Sequence, residues 1–237
     1  MHNTFITRYF DWPAGGSRPV RLANALLRRL GKNAWVRAPH STGQMTNIEQ
    51  RINLYHLVSQ VLAYDVPGDL VEVGSFVGQT AALMATILQN EGDGSRRLHV
   101  YDSFEGLWNT DRPLDVLKQN FAKHSLPLPE IHAGWFSATM PAQLPDRISF
   151  AHIDCGWGGD PEEHARVLRD AMSHVYPRLS TGAICSIVDY CQLDEVPDVQ
   201  NLNPGVKPAF DAFMADKAER ISVLYACEYG HAYFRKR

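Results

Sequence analysis

The 237 residues carry 23 basic and 26 acidic side chains, a near-neutral balance that creates no demand for nucleic acid or an anionic membrane surface. A chain of this length fills one well-buried α/β domain and scarcely two, and no apolar run reaches the length of a membrane span. Cys155, Cys185, Cys191 and Cys227 form neither a CxxC pair nor a disulfide framework, and the N-terminus lacks the features of a signal peptide, so reduced thiols in a cytoplasmic protein are expected.

Residues 1–45 are irregular around Pro13, Gly15, Gly16 and Pro19, then give way to the basic amphipathic segment VRLANALLRRLGK. Its Val20, Ala23, Leu26, Leu27 and Leu30 share one helical face, and Arg21, Arg28 and Arg29 another. Such a helix covers an active site, mediates self-association or packs on the domain. We therefore treat 1–45 as an N-terminal cover or oligomerisation segment and 46–237 as the main domain. A second helix is predicted from Thr46, an N-cap with Glu49 at the third position, through Ile52, Leu57, Val58, Val61 and Leu62, ending before Pro67.

From Gly68 to Gly106 the pattern is distinctive. Leu70–Val73 is an apolar run too short for a helix and reads as a buried strand. Gly74 and Gly78 bracket a tight loop, and Ala81, Leu83, Met84, Ile87 and Leu88 recur at helical spacing after it. Leu98–Tyr101 is the next strand and ends on Asp102. Strand, glycine loop, helix, strand and terminal acid make a nucleotide-binding βαβ unit, in which the acid accepts hydrogen bonds from ribose hydroxyls. The loop reads EVGSFVG, so the dinucleotide fingerprint GxGxxG is absent and an NAD-dependent oxidoreductase is disfavoured. Glu72 stands where it would repel a pyrophosphate; a carboxylate there suits the ammonium or sulfonium of S-adenosylmethionine.

Downstream, Leu114–His124 is predicted helical, Glu130–Ala133 a strand, and Ile148–Asp154 a strand ending in an acid. A helix over Pro161–His174 precedes a strand at Ile184–Val188, followed by Asp189. Pro208 starts a last long helix containing Phe210, Phe213 and Met214, and Ser222–Ala226 with His231–Arg235 closes the chain as a hairpin across Tyr229 and Gly230. The alternation implies a mostly parallel sheet with helices on both faces. Ligands of such sheets bind beyond the carboxyl ends of the strands, so Glu72, Asp102, Asp154 and Asp189 are expected along one edge. Asp154 and Asp189 there suit a hard divalent cation such as Mg²⁺; the other reading is that they cap the following helices.

Several segments, in this order and spacing, resemble the macrocin O-methyltransferase (TylF-like) family of S-adenosylmethionine-dependent enzymes, which methylate sugar hydroxyls on antibiotics. They are MTNIEQRINLYHLV, VPGDLVEVGSFVGQT, VYDSFEGL, GWFSATMP, LPDRISFAHIDC, VYPRLSTGAICSIVDY and PGVKPAFDAF, between about Met45 and Lys236. The resemblance implies a class I methyltransferase fold. It also implies cofactor contacts at Glu72, Gly74, Ser75, Thr80, Asp102 and Ser103, with Met45 and Thr46 in a lid and Trp135 near the adenine. A small-molecule acceptor and a homo-oligomer follow from the same likeness.

The catalytic segment departs from the family pattern. Asp-x-Asp-x-Tyr, in which the first acid binds Mg²⁺ and the second is the general base, is replaced by Asp154-Cys155-Gly156-Trp157 and an insertion, GGDPEEH. The later Asp-Asp-Tyr reads Val188-Asp189-Tyr190, leaving Asp154 and Asp189 as the candidate metal ligands. Ala138 stands where an acid is common. A sugar hydroxyl is far too weak an acid to lose its proton near pH 7 without help. Asp160, Glu162 or Glu163 of the insertion, or His152, are the candidates to supply it; an amine, thiol or acidic phenol acceptor would need less. The competing reading is a non-catalytic cofactor-binding partner subunit.

Overall fold

The structure, a computed structural model, describes residues 18–32, 46–92, 94–106, 110–191, 203–226 and 230–237. The chain divides into two compact units, Met1–Met45 and Thr46–Arg237. In the first, helix α1 (Arg18–Arg29) leaves Leu22 and Leu26 exposed, as is Leu30 just past its end.

In the second unit, α2 (Ile48–Ala63) leads into β1 (Asp69–Val73), α3 (Gln79–Glu91), β2 (Leu98–Asp102), α4 (Pro113–Lys123), β3 (Glu130–Ala133) and α5 (Phe136–Gln143). Then come β4 (Ile148–Ile153), α6 (Pro161–Val175), a 3₁₀ turn at Tyr176–Arg178, β5 (Leu179–Val188), α7 (Val206–Met214), β6 (Ser222–Leu224) and β7 (His231–Arg235). One sheet holds all seven strands in the order β3-β2-β1-β4-β5-β7-β6. The first five are parallel; β7 runs antiparallel to both β5 and β6.

Strands buried on both faces read as continuous apolar runs rather than alternating ones. Every residue of β4 is buried, as are Leu70–Val73 of β1 and Ala183–Val188 of β5. Helix α2 packs over β4 and β5, and α5 over β2 and β3. Glu219 ties down the C-terminus by accepting from Tyr176 Oη at 2.7 Å, Lys236 Nζ at 3.1 Å and the Arg237 amide at 3.1 Å.

Some predicted boundaries move, each for a local reason. Helix α2 is capped by Asn47, one residue after Thr46: the Asn47 side chain accepts from the Gln50 amide at 2.8 Å and Gln50 Oε1 accepts from the Asn47 amide at 3.0 Å. Helix α7 starts two residues before Pro208 and runs only nine residues. Its proline still falls in the first turn, where no intrahelical N–H is needed. Strand β5 extends back to Leu179, through the left-handed Gly182, while β6 stops at Leu224. The predicted turn residue Tyr229 lies outside the described residues.

Candidate functional site

The strand order reverses between β1 and β4, and in open α/β sheets that switch point is where ligands enter. The carboxyl ends of the two strands are locked together there. Asp154 N–H donates to Val73 O at 2.8 Å, while Gly74 N–H donates to Tyr101 O at 2.8 Å on the other side. Gly74 has φ +86°, and a β-carbon on it would lie 1.8 Å from Asp154 O. Only glycine fits this crossing, and the same bareness opens the loop backbone to a ligand.

Glu72, in β1 beside His152 of β4, is 1% exposed, and its Oε2 has no hydrogen-bond partner. Burial pushes its carboxyl up to about 8, with the charges of Asp154 and Asp102 adding to the shift and the Ser75 hydroxyl opposing it. A buried, unmatched carboxylate oxygen at a ligand crevice is poised for a cation. Asp102 organises the loops around it. Its Oδ2 accepts from the Ser75 and Phe76 amides at 2.9 and 2.8 Å, and its Oδ1 from the Phe104 amide at 2.7 Å. A carboxylate offers about four lone-pair sites, so three amides leave room for a hydroxyl. Phe76 and Phe104, at φ +44° and +53°, carry the backbone strain of these turns.

Around this core, Thr80 is buried in the first turn of α3 and its hydroxyl lies 3.3 Å from that of Thr46, just ahead of α2. Ser103 Oγ accepts from the Glu105 amide at 3.3 Å. Trp135 is half exposed at the start of α5, one residue beyond the Gly134 N–H that bonds Asp102 O at 2.9 Å. Met45 lies outside the described residues.

The ends of β4 and β5 hold Asp154 and Asp189. Burial, then the charges of Asp189 and Asp102, raise the Asp154 carboxyl well above the ordinary carboxylate range. Asp189 is raised by burial and held back by a hydrogen bond from Asn203 Nδ2 to its Oδ2 at 2.6 Å. The four carboxylates thus lie along one edge, where Asp154 and Asp102 act on Glu72 and Asp189 and Asp102 act on Asp154.

Two proposed bases are otherwise engaged. Asp160 is the N-cap of α6: its Oδ1 accepts from the amides of Glu162 and Glu163 at 2.9 and 3.0 Å. His152 is 3% exposed, bonds Ser186 Oγ through Nδ1 at 2.9 Å, and is pushed down to about 3 by burial and by neighbouring His231. It stays neutral inside the protein. Glu163 lies within 3.9 Å of Arg166.

Sequence reasoning missed Asn203. It is 6% exposed, and its Oδ1 accepts from the Gly158 amide at 2.9 Å, so it joins the loop after β4 to the end of β5. Gly156, bare where the family pattern has an acid, was the sequence signal that another side chain fills the space.

The Macrocin-O-methyltransferase (TylF) family profile matches residues 18–202. The chain is 32% identical over 185 residues to an 8-demethyl-8-(2,3-dimethoxy-alpha-L-rhamnosyl)-tetracenomycin-C 4'-O-methyltransferase of Streptomyces olivaceus, covering 69% of this chain and 67% of that one. It is 29% identical over 171 residues to mycinamicin III 3''-O-methyltransferase of Micromonospora griseorubida, covering 62% and 65%. Its fold is like that of the O-methyltransferase NovP, with a TM-score of 0.66 at 22% identity over 89% of this chain and 87% of that one.

Proposed function

The chain belongs to the macrocin O-methyltransferase (TylF) family of S-adenosylmethionine-dependent methyltransferases, and we propose that its acceptor is a hydroxyl of a sugar or similar small molecule in natural-product biosynthesis. The observation that carries the cofactor half is the buried, unpartnered Glu72 Oε2 beside the Gly74 loop at the switch point. Glu72, the Gly74 and Ser75 backbone, Thr80, Asp102 and Ser103 would hold the cofactor, with Thr46 and Trp135 at its rim. When bound, the cofactor supplies a methyl group activated by its sulfonium. Asp102 keeps the loop amides in place and offers its remaining lone pair to a hydroxyl. Asp154, made more basic by burial and by Asp189, takes the acceptor's proton.

The test of the cofactor half is calorimetry with S-adenosylhomocysteine, the demethylated product, near pH 7. Because the free Glu72 carboxyl sits at about 8, it is mostly protonated there, and pairing with a ligand ammonium expels that proton. Binding should therefore release close to one proton, read from buffers of different ionisation enthalpy, and tighten as pH rises toward 8. Glu72→Gln should weaken binding by about 30-fold, the loss of one charge-assisted hydrogen bond of about 2 kcal/mol. The same change should raise Tm at pH 8. An acid whose folded value is raised from 4.5 to about 8 takes stability away as pH climbs through that window, and Gln removes the penalty. Absence of binding would remove the methyltransferase reading. Transfer of labelled methyl to a panel of hydroxylated glycosides then tests the acceptor class.

Self-association is inferred from α1, whose Leu22 and Leu26, with Leu30, expose an apolar stripe at four-residue spacing. Sedimentation should give a dimer or larger species, and Leu22→Lys with Leu26→Lys should shift it to monomer. No helix among the described residues is long and apolar enough to cross a membrane. The free thiols of Cys155 and Cys185 support a reducing, cytoplasmic setting.

A further inference from the structure

The donor set at the acceptor edge is a poor match for the divalent cation that the family resemblance implies. Position 156 offers no side chain, and Val188 is an apolar residue buried at the end of β5. Among the described residues, no group of three or more histidines, cysteines and carboxylates is arranged to hold a metal. The space beside Asp189 belongs instead to Asn203. A β-carbon on Gly156 would lie 2.2 Å from Asn203 Nδ2, 2.4 Å from its Cγ and 2.8 Å from its Oδ1, so the amide fills the volume that a side chain at 156 would need.

The orientation of that amide is fixed by its neighbours. The Gly158 N–H requires an acceptor and the Asp189 carboxylate requires a donor, at 2.9 and 2.6 Å. Turning the amide over would set its oxygen against Asp189 and its NH₂ against the Gly158 N–H, two repulsions in a buried site. A donor is therefore pinned against Asp189 Oδ2, occupying one of the lone-pair sites otherwise open to a cation. The 203–205 turn is itself held: Asn203 O accepts from the Val206 amide at 3.1 Å, and a β-carbon on Gly205 would lie 2.1 Å from Pro161 O. Asn203 cannot withdraw without moving the starts of both α6 and α7.

We propose that Asn203 is a positioning residue that takes the place of the metal ion: its amide aligns Asp189 as a cation would, and the centre operates without a bound divalent cation. This rests on the methyl-transfer reading of the same edge. Bare Gly156 and Asn203 are then two halves of one substitution, lying far apart in sequence and in contact in space.

The experiment is a Mn²⁺ titration, followed by electron paramagnetic resonance of the free ion, on the protein saturated with S-adenosylhomocysteine. The wild type should show no site tighter than about 1 mM, and its affinity for S-adenosylhomocysteine should be the same in Mg²⁺ and in chelator. Asn203→Asp puts a third carboxylate at the pinned position and should tighten Mn²⁺ binding at least about tenfold, a gain that Asp154→Asn in the same chain removes. A merely structural asparagine gives no such gain. Asn203→Ala, which keeps the volume small and adds no charge, should retain S-adenosylhomocysteine binding and acquire no ion site. Micromolar Mn²⁺ binding by the wild type, lost in Asp154→Asn, would overturn the proposal. So would an Asn203→Asp protein that binds S-adenosylhomocysteine normally and gains no Mn²⁺ affinity. A wild type that binds neither probe would instead remove the methyl-transfer reading on which the proposal stands.

Discussion

Gly74→Ala is expected to lower the unfolding free energy by about 3 kcal/mol, from about 1–2 kcal/mol for a left-handed non-glycine residue together with an overpacking cost of about 1–3 kcal/mol. The residue sits at φ +86°, and the added methyl carbon would meet Asp154 O at 1.8 Å, Asp154 C at 2.7 Å and Cys155 Cα at 3.2 Å. These are backbone atoms, so no side chain can turn aside. Relief requires the ends of β1 and β4 to part, which strains the Asp154 N–H to Val73 O bond and moves Glu72 away from Asp154. Loss of S-adenosylhomocysteine binding should accompany the loss of stability. Gly94→Ala is the control: its φ is +78°, yet nothing lies within 4 Å of the added carbon. Urea denaturation should give Gly94→Ala only the conformational part, about 1 kcal/mol. Equal losses in the two variants would mean that the close approach at the switch point contributes nothing.

That crossing also explains why the β1–β2 end of the sheet edge was readable in the sequence. A short apolar run, two glycines at fixed spacing, a helical stripe and a strand ending in Asp102 are all local signals, and the fold brings those same residues to the switch point. Chain-order alternation likewise fixed the parallel sheet. Local signals fail where two registers are equally good. Thr46 with Glu49 and Asn47 with Gln50 are both plausible capping pairs, and the second is supported by a distant contact, Asn47 Nδ2 to Ala226 O at 2.6 Å. Gly182, which donates to Lys236 O at 2.8 Å, interrupts the apolar pattern of β5 and hides its first half. The β4–β5 half of the edge was legible only as a deficit. Gly156 and Val188 showed what was missing, whereas Asn203, a polar residue in an Asn-Pro-Gly turn, carries no sign in sequence that it packs against either segment.

Asp154→Asn should reduce kcat for the acceptor found by labelled-methyl transfer by about 100-fold or more, the ordinary worth of a positioned general base, while leaving S-adenosylhomocysteine binding within a few fold. Asn keeps the shape and removes only the proton-accepting capacity. The pH dependence identifies the group. Because burial, Asp189 and Asp102 all raise the Asp154 carboxyl, kcat/KM should rise with pH along an acid limb lying well above the ordinary carboxylate range, as the carboxyl gives up its proton and becomes a base. Asp189→Asn removes the larger of the two charge contributions, so the limb should move to lower pH; a limb that stays in place would assign the proton to another group. The stability of Asp154→Asn follows with the opposite sense. A carboxyl raised in the folded protein costs stability as pH climbs above its unfolded value toward its folded one, so the variant should gain on the wild type in Tm across that window as its activity is lost. Higher stability together with lower turnover would mark Asp154 as a group held in an unfavourable setting for its chemistry, which a residue serving only to cap the following segment would not show.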